Sequence, residues 1–500
     1  METSVSPSDL LKQMKDLKKQ VYEEGMGLFN QHKDYIQNKH FLDSALNLCF
    51  YLSLRSKDIT ELQKDLSLLG LSSLGRLESR TMETLDAVIC SLGKIANQDV
   101  DIYCYPPRQD FVNGKEQLER NSERLFGEFP IHRNTMIMVT LSNQMKYEDI
   151  KDLINRGMNV ARINCAHDNS ELWIKLANHV RKAEKELNKS CKIMTDIAGP
   201  KVRIKWILSS KNKNKLMAGD KILLSNKDSA SFDPFIPTKV GCSIPDVISE
   251  LKVSDTVLFD DGSIEGKVEE ITEEGVIIYV EKVVKDNGVR IKVDKGINFP
   301  NSNIKLNIIT EKDEKDLEFM TSYADIIAAS FISTPDDINY AIEKIKSKTP
   351  TDKSIPPIIA KIETTAGLTN LPSIIMAAAG KDDFGVMIAR GDLAIELGYL
   401  RFAELQQEIL WICEAGDIPV IWATQVLESM AKSGIPSRAE VTDASEGGAR
   451  SECVMLNKGK YIPEVVTFLD HLLSVMKSNI YKKSPKLRAL NLAKNIFEDR

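Results

Sequence analysis

PPIIAKIE (356–363) and GVMIARG (385–391) are two short apolar runs that end in charged residues, and a helix-like segment separates them. Six more runs of this kind occur from Thr135 onwards: TMIMVTL, NVARINC, CKIMTDI, DIIAAS, IPVIWATQ and ECVMLN. Near-continuous apolar runs are typical of parallel strands that are covered on both faces. Eight strand–helix units in succession predict an α/β fold, namely a (β/α)8 TIM barrel.

One connection is too long for a simple barrel. Roughly 130 residues separate CKIMTDI from DIIAAS, and DKILLSN, TVLFDDGSIEGKVEEI and GVIIYVEKVV within them read as strands. We therefore predict a small β-barrel lid domain inserted after strand 3. Apolar residues at helical spacing predict a helical N-terminal region. The predicted division is a helical extension at 1–128, a catalytic barrel at 129–203 and 296–480, a lid at 204–295 and a C-terminal tail at 481–500.

The composition argues against several classes of protein. Hydrophobic residues make up 42% of the 500 and charged residues 28%, the balance of a globular protein. The net charge of −6 and the lack of a basic tract give no reason to expect nucleic acid. Without a long apolar run or a secretory signal, we expect a cytoplasmic protein with no membrane partner. Eight scattered cysteines indicate reduced, mostly buried thiols rather than disulfides or a zinc site.

Polar side chains collect where the predicted strands end. Function in such barrels lies at the C-terminal ends of the strands. Any one polar residue there could form a structural salt bridge, but many on one rim are hard to explain by packing. Carboxylates beside cations, without a His/Cys cluster, suit Mg²⁺ or Mn²⁺ and a phosphate or carboxylate substrate. The strand-end residues are Arg162, Asn164, Asp196, Ser330, Lys361, Glu363, Arg390, Asp392 and Thr424.

ARINCAHD (161–168) raises a different possibility, because Cys165 and His167 could form a thiol nucleophile or a metal site. Side chains alternate along a strand, so Arg162 and Asn164 share the interior face and Cys165 faces the outer helices. We therefore expect Cys165 to pack as a small apolar residue. His167 lies just past the strand end, either as a phosphate contact or as a plain loop histidine.

Several motifs resemble the pyruvate kinase family, in its order and over about residues 130 to 475: GMNVARINCAHD, MTDIAGPKVRI, LFDDGSIEGKV, IIAKIETTAGLTNL, GVMIARGDLAIELG and PVIWATQVLESMAKSGIPSRAEVTD. The resemblance implies transfer of the phosphoryl group of phosphoenolpyruvate to ADP, giving pyruvate and ATP, with Mg²⁺ or Mn²⁺ and in a homo-oligomer. It implies catalytic Lys361, Thr424 and Arg162; substrate binding by Arg162, Asn164, Lys361, Gly391, Asp392 and Thr424; nucleotide contacts from His167 and Arg203; metal ligands Glu363 and Asp392; and a lid aspartate at Asp260 or Asp261.

Two departures from the family concern the monovalent-cation site, which the resemblance assigns to Asn164 and Asp196. Ala166 stands where the family commonly has a serine that binds K⁺, and Lys201 replaces the glutamate of K⁺-dependent members. We expect the Lys201 ammonium to substitute for the ion, so that K⁺ is not required. The loops TLSNQM and NKGKYIPE also differ from the family, and the matched region leaves out its C-terminal regulatory domain.

Two alternatives remain open. One is a catalytically weak homologue with a binding or regulatory role, and the other is a different Mg²⁺-dependent phosphoenolpyruvate or pyruvate barrel enzyme, such as a lyase. The presence of Lys361, Glu363, Asp392 and Thr424 together argues against the first, and Lys361 with the lid argues against the second.

Overall fold

The computed structural model describes residues 6–98, 105–209, 215–228, 235–300, 302, 304–482 and 484–486. In this part of the chain, two short 3₁₀ turns and five α-helices precede the first strand. The helices are α1 (Pro7–His32), α2 (Leu42–Arg55), α3 (Thr60–Leu68), α4 (Thr81–Ile95) and α5 (Arg108–Phe126).

Strands and helices then alternate, with one interruption. The first barrel units are β1 (Met136–Thr140), α6 (Tyr147–Arg156), β2 (Val160–Ile163), α7 (Ser170–Leu187) and β3 (Lys192–Ile197). The inserted domain comprises β4 (Ile204–Ser209), β5 (Lys221–Ser225), β6 (Thr238–Cys242), α8 (Asp246–Glu250), β7 (Thr256–Phe259), β8 (Ile264–Thr272), β9 (Gly275–Val283) and β10 (Ile297–Asn298). The barrel resumes with α9 (Glu311–Tyr323), β11 (Ile326–Ala329), α10 (Pro335–Lys348), β12 (Ile358–Ile362), α11 (Thr365–Thr369), α12 (Leu371–Ala379), β13 (Phe384–Ala389), α13 (Arg390–Leu397), α14 (Tyr399–Ala415), β14 (Val420–Ala423), α15 (Glu428–Ser433), α16 (Arg438–Arg450), β15 (Cys453–Leu456) and α17 (Ile462–Asn479), and a short hairpin of β16 (Ile480–Tyr481) and β17 (Ser484–Pro485) follows.

The eight predicted barrel runs form one closed parallel barrel, in the order β1-β15-β14-β13-β12-β11-β3-β2. Closure is made by β15 and β1, whose register pairs Met136 with Cys453. The strands are almost wholly buried, because side chains fill the interior and helices cover the outside. The predicted TIM barrel is confirmed.

The last turn of α5 closes the floor of this barrel. Leu125 and Phe126 are buried and pack in one apolar cluster with interior side chains such as Met136 and Met194. The approach is close, since a Cβ built on Gly385 of β13 would lie 3.0 Å from Leu125 Cδ1. The helical extension is therefore part of the barrel's core packing.

The inserted domain is a curled seven-stranded sheet in the order β10-β7-β8-β9-β5-β6-β4, with its own apolar core. Its two outer strands meet where Arg203 and Gly296 form an antiparallel bridge. The fold class of a barrel with an inserted β domain is confirmed. Because β10 pairs with β7, this sheet includes Ile297 and Asn298, just past the predicted boundary at residue 295.

The remaining domain boundaries stay predictions, and most of the predicted tail (487–500) lies outside the described residues, as does Cys104. The seven cysteines that are described are all buried, and none of them is part of a disulfide. Among the helices of the described ranges, none combines the length and apolarity needed to cross a bilayer.

Candidate active site

Lys361 lies at the centre of a buried polar cluster near the C-terminal end of β12. Its ammonium donates to Ser330 Oγ at 2.7 Å and lies 3.0 Å from Glu363 Oε1 and 3.8 Å from Asp196 Oδ2. Burial favours the neutral amine, but attraction to Glu363 and Asp196 outweighs it and raises the pKa of Lys361. The ammonium therefore stays charged at neutral pH and can act as a fixed cation.

Arg162 is the second cation of the cluster. Both oxygens of Asp196 accept hydrogen bonds from its Nε, at 3.2 and 3.1 Å, and its Nη1 donates to Thr140 Oγ1 at 3.0 Å. Burial alone would raise the pKa of Asp196, but Arg162 and Lys361 overcome that effect and lower it. Asp196 is thus ionised and fixes the direction of the guanidinium.

Glu363 carries a carboxylate that is 3% exposed. Its Oε2 accepts the backbone N–H of Phe331 at 2.7 Å. Burial raises its pKa, Lys361 partly offsets this, and the negative charge of Asp392 raises it further. Two carboxylates that destabilise each other's charge in this way are suited to sharing a cation.

Asp392, on the first turn of α13, pairs with Lys201, whose Nζ lies 2.7 Å from Asp392 Oδ1. In the parts of the chain that the structure describes, no hydrogen bond or ion pair joins Lys201 to Asn164 or Asp196. Instead, Asn164 Oδ1 accepts the N–H of Ala166 at 3.1 Å, within its own loop. The predicted cation substitute therefore lies beside Asp392, which is a predicted metal ligand.

Thr424 follows β14 in the left-handed region, with φ of 63°, which is costly for a β-branched residue. Two contacts hold it there. The Gly391 N–H donates to Thr424 Oγ1 at 2.8 Å, and the Arg390 guanidinium donates to the Thr424 carbonyl at 2.7 Å. The amide of Gly391, a residue predicted to bind substrate, is thus hydrogen-bonded to Thr424 in this conformation.

The predicted nucleotide and lid residues make their contacts elsewhere. The His167 side chain is exposed. Arg203 donates to the Asp294 carbonyl at 2.9 Å inside the lid. Asp260 pairs with Lys295 at 2.6 Å, and both it and Asp261 have positive φ, as expected for the tight turn between β7 and β8. None of these contacts reaches the Lys361 cluster.

Cys165 is fully buried in the apolar layer outside the barrel strands. Burial raises the pKa of its thiol well above the ordinary value, so the reactive thiolate is not available at neutral pH. With His167 exposed, the Cys165–His167 nucleophile has no support, and Cys165 packs as predicted.

Several further groups complete the site: the sequence analysis names Ser330 only as a strand-end residue, and it does not identify Thr140 or the Phe331 amide. Thr140 binds Arg162, Ser330 binds Lys361 and donates to the Ile197 carbonyl at 2.8 Å, and the Phe331 amide binds Glu363. The only available signal is position, because these residues stand at or just after the last residue of a barrel strand. Hydroxyls and backbone amides are too common for their residue type to reveal such a role.

The donor set fits a divalent cation of the Mg²⁺ type. Across the described ranges, no three His, Cys, Asp or Glu side chains form a complete metal-ligand group. Mg²⁺ does not require one, since it keeps several waters and takes one or two carboxylates beside substrate oxygens. Glu363 and Asp392 provide two such carboxylates, and the raised pKa of Glu363 marks negative charge that a cation would stabilise.

Comparisons with known proteins identify the family to which the barrel belongs. The family model of the pyruvate kinase barrel domain matches residues 132–465. The chain is 33% identical over 348 residues to a pyruvate kinase of Thermococcus litoralis, covering 68% of this chain and 69% of that protein. It is 33% identical over 361 residues to pyruvate kinase 2 of Trypanosoma brucei brucei, covering 71% and 69%.

Among solved structures, a pyruvate kinase from Cryptosporidium parvum matches with a TM-score of 0.62 and 29% identity, covering 71% of this chain and 72% of that one. The match thus extends over sequence and fold alike, and it includes the strands that carry the Lys361 cluster. The chain belongs to the pyruvate kinase family.

Proposed function

We propose that the protein is an active pyruvate kinase, which transfers the phosphoryl group of phosphoenolpyruvate to ADP and yields pyruvate and ATP. The observation that carries this proposal is the largely buried, charged Lys361, held by Ser330, Glu363 and Asp196 at the end of β12. A degenerate homologue has no reason to keep an ammonium buried at this cost.

The chemistry requires fixed positive charge. Transfer from an enol phosphate to a nucleoside diphosphate brings several negative oxygens together, and catalysis depends on positioning and electrostatic stabilisation. Lys361 and Arg162 supply two cations that are already oriented by their carboxylate partners. We propose that they stabilise the transferring group, that Asn164 and Gly391 contact the substrate, and that Thr424 lies near the carbon that is protonated.

Glu363 and Asp392 would hold Mg²⁺ or Mn²⁺. When bound, the ion would neutralise charge on the phosphoryl oxygens. For this, Asp392 has to exchange its present partner Lys201, and Glu363 has to share its charge with Lys361. On the nucleotide side we propose His167 and Arg203, with Asp260 or Asp261 approaching as the lid closes.

We further propose that turnover does not require K⁺. Ala166 has no hydroxyl for the ion, and Asn164 is occupied by its own loop. The Lys201 ammonium already lies within the rim, 2.7 Å from Asp392. Assays in buffers that contain only tetramethylammonium as monovalent cation test this: unchanged turnover on adding K⁺ is expected, and strong activation would refute it.

We place the enzyme in the cytoplasm, as a homo-oligomer without nucleic-acid or membrane partners. The net charge of −6 supports the lack of a nucleic-acid partner. These assignments are separable from the catalytic proposal, and light scattering of the purified protein tests the oligomer.

One experiment distinguishes the proposed activity from the alternatives. Pyruvate formation from phosphoenolpyruvate and ADP is measured with Mg²⁺, for the native protein and for Lys361→Met. Activity that the substitution abolishes supports the kinase. Substrate binding without turnover would indicate the weak homologue, and consumption of phosphoenolpyruvate without ATP formation would indicate a different barrel enzyme.

A further inference from the structure

The inserted domain is joined to the barrel by two segments that pair with each other. The Ile204 N–H donates to the Lys295 carbonyl and the Ile297 N–H donates to the Val202 carbonyl, each at 2.9 Å. We call these two segments, residues 201–204 and 295–298, the hinge. Because the two segments of the hinge are hydrogen-bonded as an antiparallel pair, a displacement of one segment would be transmitted to the other.

Each hinge strand sends one side chain to the same helix, α13. Lys201 of the outgoing strand meets Asp392 at 2.7 Å, and Asn298 Nδ2 of the returning strand donates to Glu396 Oε1 at 3.2 Å. Asp392 and Glu396 are four residues apart, so they lie on one face of α13, one turn from each other. The lid is therefore attached to the helix whose first turn belongs to the proposed substrate site.

The two contacts are expected to respond differently when a metal binds. Asp392 is a proposed metal ligand, so its bond to Lys201 has to be exchanged when the ion binds. Glu396 lies one turn further along and has no such role. Burial raises the pKa of Glu396 to about 7, and the bond from Asn298 works against that rise, which indicates a contact that stabilises the ionised carboxylate.

Asn298 also connects this contact to the lid turn. It lies in β10, where Asn298 and Ile297 pair with Leu258 and Phe259 of β7. Asp260 directly follows β7, and its N–H donates to the Gly296 carbonyl at 3.0 Å. A shift of Asn298 on α13 would thus move the Asp260–Asp261 turn.

We propose that Asn298 and Glu396 are positioning residues for the reaction. Their contact is the fixed point at which the lid is seated on α13, whereas the Lys201–Asp392 contact is the one that a divalent metal replaces. This inference rests on the proposed function for the identity of the metal ligand, but the seating itself is a property of the free protein.

The test uses the full chain and five variants. Asn298→Ala and Glu396→Ala each remove the bond, the double variant removes both partners, and Glu396→Gln keeps an oxygen acceptor. Ser302→Ala is the matched control, because Ser302 Oγ, near the hinge, donates to Asp255 Oδ2 at 2.7 Å, and among the described residues no hydrogen bond joins its side chain to α13. Amide hydrogen exchange of the hinge and the Asp260 turn, Mn²⁺ binding by electron paramagnetic resonance, and kcat and KM are measured.

We expect faster exchange at 295–300 in both alanine variants and a fall in kcat of about tenfold, typical for losing one hydrogen bond to a charged group, with Mn²⁺ affinity kept. The double variant should be no worse than either single one, and Glu396→Gln should recover most of kcat. In the native protein, Mn²⁺ should speed exchange at 201–203 and leave 295–300 protected.

Additive effects in the double variant, unchanged exchange at 295–300, or an equal loss in Ser302→Ala would each overturn the inference. Failure of the proposed function would look different. If the native protein has no turnover, hydrogen exchange of the hinge and Mn²⁺ binding can still be measured and still test the seating contact. If the native protein is active but the substitutions do not change hydrogen exchange in the hinge, only the seating contact is refuted.

Discussion

Replacing Lys361 with methionine removes the central charge of the rim while keeping most of the side-chain volume. At an effective dielectric constant of about 20, two unit charges at 3.0 Å, the separation of Lys361 Nζ and Glu363 Oε1, attract by roughly 5 to 6 kcal/mol. A phosphoryl oxygen that takes the place of Glu363 would gain a similar attraction. Loss of one preoriented donor costs about 10² to 10³ in kcat, and a full charge should cost at least as much. We therefore expect kcat to fall roughly a thousandfold.

The same substitution leaves Glu363 buried with the Phe331 amide as its remaining partner. Breaking a buried ion pair costs about 3 to 5 kcal/mol of stability, because one charge remains uncompensated. Adding Glu363→Gln removes that charge and should restore much of the stability without restoring activity. Thermal unfolding and pyruvate formation, measured on the same preparations, separate the two effects.

Lys482 provides a matched control at the opposite end of the barrel. It forms an ion pair with Glu452 in which the side chains are 9% and 7% exposed, against 12% and 3% for Lys361 and Glu363. Lys482→Met should therefore lose comparable stability and keep kcat. A Lys361→Met enzyme that retains a tenth or more of native kcat, or an equal loss of kcat in Lys482→Met, would refute the electrostatic role.

Three further predictions concern other contacts. Thr424→Val should lower the free energy of unfolding by about 1 to 3 kcal/mol and remove most of the activity, since the Gly391 N–H loses its acceptor. Thr424→Ser keeps the hydroxyl and should retain native stability and activity. Chemical denaturation and kcat measure the two effects. Burial raises the pKa of Asp417 well above its ordinary value, so the folded protein keeps a proton on this carboxyl at pH values where the unfolded chain has released it. The stability of the folded protein therefore falls as pH rises from about 4. Asp417→Asn should have a higher Tm than the native protein at pH 8 and the same Tm near pH 4. Phe126→Ala should destabilise the protein by about 3 to 5 kcal/mol with kcat unchanged, because it opens the barrel floor and not the rim, and a lost kcat at full stability would contradict this.

The barrel could be predicted because its strands carry their own signal: apolar runs that end in polar residues. The partners of those residues could not. Lys201 and Asp392 are far apart in the sequence and meet only because the lid hinge rests on α13, and nothing local to either residue indicates this. The place of Phe126 is likewise hidden, since an amphipathic helix reveals that it has a buried face but not which surface covers it.

Charge pairing explains how so many ionised groups can share one rim. Three cations of the cluster lie beside three carboxylates, so their formal charges cancel, and this pairing offsets the cost of removing the charges from water. Two of the pairs include a proposed metal ligand. On the proposed function, a substrate anion that arrives with a divalent cation would exchange partners with these two pairs: the carboxylates would bind the metal, and the ammonium groups would contact phosphoryl oxygens. The third pair, held by several hydrogen bonds, would stay intact and keep the guanidinium in place. Such an exchange would bury no new unpaired charge, so the lysines could be oriented before substrate binds and still be available to it. The pairs are Lys361–Glu363, Lys201–Asp392 and Arg162–Asp196.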